Sequence, residues 1–235
     1  MSVSNLEKAI CIHQIENQMA RHVIYHARCR HREEIENIWV DVKENDALFA
    51  GDWGSMPGEA FWNNYALATE KRVMGKYTTR VRKRPDFAKQ DYRCHEMSMH
   101  LLASPIIEVA GDGKSARGLW YTPGFLVPSS YEADRTSCTW FWERYGGDFV
   151  LDEDGTWKFL HLRVAAHLMA QMDFEDWTTI DPLAPDPMGR VKSLDTTKYL
   201  RQDAYTYLSI PTERPGIPTP YETLSETITY KEVKE

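Results

Sequence analysis

The chain has 235 residues, 28 Lys and Arg against 35 Asp and Glu, a formal charge of −7 and 42% hydrophobic residues. That length suits one large domain or a domain with an extension, and the composition excludes a mainly disordered chain. The negative charge argues against nonspecific binding to nucleic acid or to an anionic membrane, and no apolar run approaches the ~18–20 residues of a membrane-spanning helix.

The N-terminal stretch MSVSNLEKAICIHQIENQ has acidic and amide residues where a secretory signal needs an apolar block, so a cytoplasmic protein is expected. From Leu6 to Val40 there is no Pro or Gly, and Ile12, Ile15, Met19, Val23, Ile35 and Ile38 recur at helical spacing. This predicts one long helix, or two that break near the basic run Arg28–Arg32. His22 and His26 stand i and i+4 on that helix, a spacing that can share a metal. No Glu follows His22 as in HExxH and no third ligand is nearby, so no metal or other cofactor is expected. Ala47–Asp52, bounded by Gly51 and Gly54, reads as a strand and turn, and Trp53 in that turn is counted as a substrate contact. Gly58–Tyr65 reads as a helix start with Glu59 in its first turn. The basic cluster Lys71–Arg84 is a solvated face or loop, or a seat for an anionic substrate tail.

The next hundred residues change character. Asp91–Val109, Ala116–Val127, Ser137–Val150 and Thr156–Val164 are rich in β-branched, aromatic and alternating residues, with turn signals between them at 111–113, 128–130 and 152–155. A helical segment followed by a meander of antiparallel strands is an α+β plan. Seven of the twelve prolines then lie between 182 and 220, interleaved with Tyr199, Tyr205, Tyr207 and Tyr221. This predicts an extended arm that wraps the domain, covers a cavity or reaches a neighbouring subunit. The four cysteines, Cys11, Cys29, Cys94 and Cys138, form no CxxC pair and read as free buried thiols.

The order of these parts resembles the SnoaL-like branch of the NTF2-like superfamily. The residues that carry the resemblance are Tyr25, the strand pair PIIEVAGDGKSARGLWY from Pro105 to Tyr121, and DGTWKFLHLRV from Asp154 to Val164. It covers roughly residues 10–170, so residues 1–172 are taken as the SnoaL-like domain and 173–235 as an extended Pro/Tyr-rich C-terminal arm. The resemblance implies a cone-shaped curved antiparallel sheet closed by N-terminal helices around an apolar pocket. Members include cofactor-independent dehydratases, isomerases, cyclases, hydrolases and aryl lyases, and others only bind or assemble, so pocket residues must decide the function.

Alternation along Tyr92–His100 puts Cys94, Glu96, Ser98 and His100 on one face. Glu96 and His100 are then about 13 Å apart and suited to opposite ends of one ligand. His100 and Tyr25 fall where dehydratase-like members of the family place a catalytic His and a helix Tyr. Five residues after Tyr25 those relatives carry an Asp, and this chain has Arg30. On the last strand Trp157, Phe159, His161 and Arg163 alternate with Lys158, Leu160, Leu162 and Val164, and either face can look inward. His26 beside Tyr25, with Trp120, Trp140 and Trp142, completes the candidate substrate-binding set; packing in the core is the alternative for each.

The expected function is a lyase, dehydratase or isomerase acting without a cofactor on a small hydrophobic, aromatic or polycyclic molecule. Glu96 or His100 would remove a proton, and Tyr25, His161 and Arg163 would stabilise developing oxyanion charge. The alternatives are a non-catalytic binding or assembly module and the small subunit of a ring-hydroxylating oxygenase. A homo-oligomer is expected, with neither nucleic acid nor membrane as a partner.

Overall fold

The computed structural model describes residues 3–52, 54–83, 85, 88, 97–127, 137–173, 215–227 and 229–231, and the structural statements concern these residues. Helix α1 (Asn5–Ala27) opens on a capping box. The Ser4 hydroxyl accepts from the Glu7 N–H at 3.3 Å, and the Glu7 carboxylate accepts from the Ser4 N–H at 2.7 Å. Its buried residues Ile15, Gln18, Met19 and His22 keep the helical period and form one stripe, which His26 extends by a further turn. The helix stops at Arg28 because Cys29 adopts φ +52°, a left-handed conformation that a continuing helix cannot contain. Helix α2 (His31–Ile38) follows, so the chain takes the two-helix alternative.

Strands β1 (Leu48–Gly51) and β2 (Gly54–Pro57) form a hairpin. Helix α3 (Gly58–Phe61) then runs through a π-helical stretch, Trp62–Leu67, into α4 (Ala68–Lys83). The basic cluster at 71–83 is therefore helical rather than a loop.

The remaining strands are β3 (Met97–His100), β4 (Ala103–Val109), β5 (Ser115–Val127), β6 (Ser137–Leu151) and β7 (Trp157–Asp173). They join one sheet in the order β2-β1-β7-β6-β5-β3, with β4 also paired to β5. Among the described strands the pairings are antiparallel apart from β1 with β7, beside which Trp39 makes a parallel bridge to Phe159. The architecture is the expected α+β curved sheet closed by helices. The last strand, expected to end at Val164, continues to Asp173.

Two bulges interrupt the pairing of β6 with β7. Asp148 pairs with His161 but Phe149 with Phe159, leaving Leu160 extra; Glu143 pairs with Ala166 but Trp142 with Leu168, leaving His167 extra. Each bulge bends the strand and reverses which residues face which side. On the helix side Trp39, Phe49, Phe61, Phe149, Trp157 and Phe159 build the core, with ring centroids 4.6 Å apart for Trp39 and Phe61 and 4.4 Å for Phe149 and Phe159. Each such ring contributes about 1.5–3 kcal/mol through burial. On the other side residues 215–227 and 229–231 lie against the sheet. Gly146 admits them: a Cβ there would come within 2.8 Å of the Tyr230 ring and 2.9 Å of Pro215. Among the described residues no helix is long and apolar enough to cross a membrane.

Candidate active site

The concave face is organised by Glu34, a fully buried carboxylate on α2. Its Oε1 bonds His22 Nδ1 at 2.7 Å and accepts from the Trp39 indole N–H at 3.2 Å, and its Oε2 accepts from the Tyr65 hydroxyl at 3.0 Å. Burial and the Glu34 charge push the Tyr65 phenol well above its ordinary pKa, so it stays a donor. Because the Tyr65 proton goes to Glu34, the Tyr65 oxygen is left to accept from His26 Nδ1 at 2.9 Å. This fixes the His26 tautomer: Nδ1 carries the proton and Nε2 keeps its lone pair. Among the described residues, Nε2 of His26 makes no hydrogen bond.

Desolvation, then the neighbouring His100, His31 and His22 imidazoles and Arg72, hold His26 well below the ordinary histidine range. It is therefore a free base at neutral pH. His31 stacks on it with centroids 5.0 Å apart and donates from Nδ1 to the Tyr65 carbonyl at 3.1 Å. Burial brings His31 down to about 4, and among the described residues its buried Nε2 has no hydrogen bond.

Facing this chain of contacts is a second one from the sheet. His100 of β3 meets His26 edge-on, with centroids 4.9 Å apart. His100 Nδ1 lies 3.0 Å from the Tyr145 hydroxyl and 3.5 Å from Glu143 Oε2, and its Nε2 lies 3.4 Å from Ser98 Oγ. Burial and Glu143 push the Tyr145 phenol well above its ordinary pKa. Asp52, just past β1, accepts from the Ala166 N–H at 2.7 Å and is raised to about 6, first by desolvation and also by Glu143. The arrangement can move a proton in both directions: an unprotonated imidazole with its tautomer set by Tyr65 stands beside an imidazole held by a phenol.

Of the residues expected at the site, His26 and His100 come together here, and Ser98 shares the His100 face as the alternation predicted. Tyr25 is half-buried against the core, and its hydroxyl makes no hydrogen bond among the described residues. Trp120 is enclosed by the core, 6.1 Å from the Phe149 ring, rather than forming an open wall. Trp140 and Trp142, 45% and 47% exposed, alternate with the inward Phe141 and so lie on the face away from the helices.

His161 and Arg163 are on that outer face too, which corrects their expected grouping with Trp157 and Phe159. The bulge at Leu160 keeps Trp157 and Phe159 in the core and turns His161 and Arg163 outward. There His161 bonds Asp148 at 2.8 Å, and Arg163 donates to the Tyr230 carbonyl at 2.7 Å. Glu96 and Trp53 lie outside the described residues.

The site residues that sequence reasoning missed are Glu34, Tyr65, Glu143, Tyr145 and Asp52. Glu143 and Tyr145 had a signal, because they alternate with Phe141 along β6. Glu34 and Tyr65 had none, since 31 residues separate them and only the packing of α2 on the π-helical stretch joins them.

Among the curated proteins none matches this chain. Among solved structures, a hexachlorocyclohexane dehydrochlorinase, LinA-type3 from Novosphingobium barchaimii, is similar at 14% identity and TM-score 0.46, over 72% of this chain and 94% of that one. A candidate scytalone dehydratase from Novosphingobium aromaticivorans is similar at 12% identity and TM-score 0.49, over 78% of this chain and 99% of that one. An NTF2-like superfamily protein from Salmonella enterica serovar Typhimurium is similar at 13% identity and TM-score 0.48, over 68% and 92%. The SnoaL-like domain family matches residues 11–163, from the second turn of α1 to the outward arginine of β7. That span is more than half of the chain and contains both histidines of the site, so the protein belongs to the SnoaL-like domain family.

Proposed function

We propose that the protein is a lyase, dehydratase or isomerase that works by general acid–base chemistry on a small aromatic or polycyclic molecule bound at the concave face. The observation that carries this reading is the pairing of His26 with His100 at 4.9 Å, the first linked through Tyr65 to Glu34 and the second to Tyr145. His26 Nε2 removes a proton from the ligand. The imidazolium formed is stabilised because its Nδ1–H already points, through the Tyr65 hydroxyl, toward the Glu34 carboxylate. His100, backed by Tyr145, gives a proton to the departing or enolising oxygen. The Phe141 ring, 4.7 Å from the His100 ring, suits a flat apolar ligand.

The test is a turnover screen of phenolic, other hydroxylated aromatic and steroid compounds, followed by absorbance for new conjugation and by thermal shift for binding. Turnover of at least one compound is expected, with His26→Gln and His100→Gln each losing about 10²–10⁴-fold in kcat. Binding without turnover of any compound would turn the reading into that of a binding module. Trp140, Trp142 and Leu168, all exposed on the outer face, support self-association as a homo-oligomer. The mass of the purified chain in solution tests that.

A further inference from the structure

Several polar groups converge on the concave face between β3, β5 and β6, and the Tyr145 hydroxyl interacts with both Thr122 and Glu143 without completing their hydrogen bonding. Thr122 and Glu143 stand directly opposite across β5 and β6, and both are buried, at 0% and 7% exposure. Among the described residues neither Thr122 Oγ1 nor Glu143 Oε2 has a partner at full hydrogen-bond geometry. The approach of Glu143 Oε2 to His100 Nδ1, 3.5 Å, is too long for a formed bond, and that nitrogen is already met by the Tyr145 hydroxyl at 3.0 Å. Burying a carboxyl oxygen and a hydroxyl with no partner is costly, and folded proteins keep such groups where water or a ligand supplies what is missing.

The chemistry of the missing partner can be read from the two atoms. Glu143 Oε2 accepts, so the partner must donate. The Thr122 hydroxyl has a proton to give, so the partner should also accept. A hydroxyl does both with one oxygen. A halogen, a carbonyl or an ether oxygen only accepts and would face the Glu143 oxygen with lone pairs opposed. An ammonium only donates and would leave the Thr122 proton without an acceptor.

We propose that Thr122 and Glu143 form a subsite that recognises a hydroxyl group on the aromatic or polycyclic ligand. This rests on the concave face being the ligand site, and it deepens that reading by naming the substrate class as hydroxyl-bearing. The bound hydroxyl sits beside His100, the imidazole assigned to protonate a departing or enolising oxygen.

The experiment compares 2-naphthol with 2-methoxynaphthalene, whose oxygen cannot donate, by calorimetric titration of the full chain. The naphthol is expected to bind about 10–100-fold more tightly. Thr122→Val and Glu143→Leu, checked for folding by circular dichroism, are each expected to shrink that ratio to within about 3-fold. A crystal soaked with 2-naphthol is expected to show its oxygen bonded to both residues. Equal affinity for the two compounds, no saturable binding of either, or a ratio that survives both substitutions overturns the proposal. So does a water retained between Thr122 and Glu143 while the naphthol binds elsewhere. Failure of the acid–base reading looks different: the naphthol preference and its loss in both variants would persist, with no compound turned over.

Discussion

Strand β6 carries two buried acids five residues apart, Glu143 and Asp148, and because they differ in parity they face opposite sides of the sheet. On the outer face every oxygen of Asp148 is used. Oδ1 accepts from Arg117 Nε at 3.2 Å, and Oδ2 bonds His161 Nδ1 at 2.8 Å and the Tyr230 N–H at 2.6 Å. The network continues outward: His161 Nε2 donates to the Asp46 carbonyl at 3.0 Å, Arg117 reaches Thr227 at 2.9 Å, and Lys231 pairs with Asp46. On the inner face Glu143 Oε2, Thr122 Oγ1 and His31 Nε2 are buried without a fully formed hydrogen bond among the described residues. The outer cluster is closed and fastens the 215–231 segment to the sheet. The inner one is open, and an open set of buried polar groups is where a ligand brings the missing atoms.

The sharpest way to break this comparison is to remove one acid-side anchor and one open group and measure stability. Asp148→Ala leaves His161 and Arg117 facing a void and should cost about 3–5 kcal/mol in denaturant unfolding, with faster proteolysis within 215–231. Thr122→Val removes a hydroxyl that has no well-formed hydrogen bond among the described residues and should stay within about 1 kcal/mol of the parent. If the two variants lost similar stability, the distinction between a closed and an open network would fail.

The inner face also predicts opposed pH dependences. Asp52 is raised from 3.8 to about 6, so between those values the folded chain holds a proton that the unfolded chain releases. Its contribution to stability is present at low pH and is lost as pH rises through that window, about 3 kcal/mol in full. His31 is lowered from 6.5 to about 4, so the unfolded chain binds more protons there. Its effect has the other sign, with stability lost as pH falls from about 6.5 to about 4. The two partly cancel in the parent. Unfolding free energies at pH 4, 5, 6 and 7 should show Asp52→Asn with a steeper loss toward acid and His31→Gln with a shallower one. Parallel profiles for all three proteins would mean that neither group is desolvated as described.

Much of the fold could be read from the sequence because it follows local periodicity. The stripe through Ile15, Met19 and His22 and the alternation along β5 and β6 are properties of neighbours in the chain. The site was legible where that held, at His26 on the same stripe and at His100 by strand parity. It was hidden where one extra residue mattered. The bulge at Leu160 cannot be seen in the run WKFLHLRV, yet it decides that His161 and Arg163 fasten the C-terminal segment instead of lining the concave face. The contact of Tyr65 with Glu34 and His26 was invisible for a different reason, since it depends on how a π-helical stretch packs on α1 and α2.

Tyr65→Phe makes the finest cut. The ring keeps its stack on His31, 4.0 Å between centroids, and its contact with Phe49 at 4.8 Å, so packing is preserved. What goes is one oxygen: Glu34 loses a donor and His26 Nδ1 loses its acceptor. The stability cost should be about 1–2 kcal/mol. If Tyr65 acts by positioning His26, kcat should fall about tenfold with KM unchanged, because the ligand does not touch the lost hydroxyl. The acid limb of the rate profile, where the base His26 becomes protonated, should also move to lower pH, since the His26 imidazolium has lost its route to the Glu34 charge. A rise in KM with kcat intact would instead make Tyr65 a ligand contact. A loss of stability with neither kinetic change would make the Glu34–Tyr65–His26 chain as purely structural as the one around Asp148.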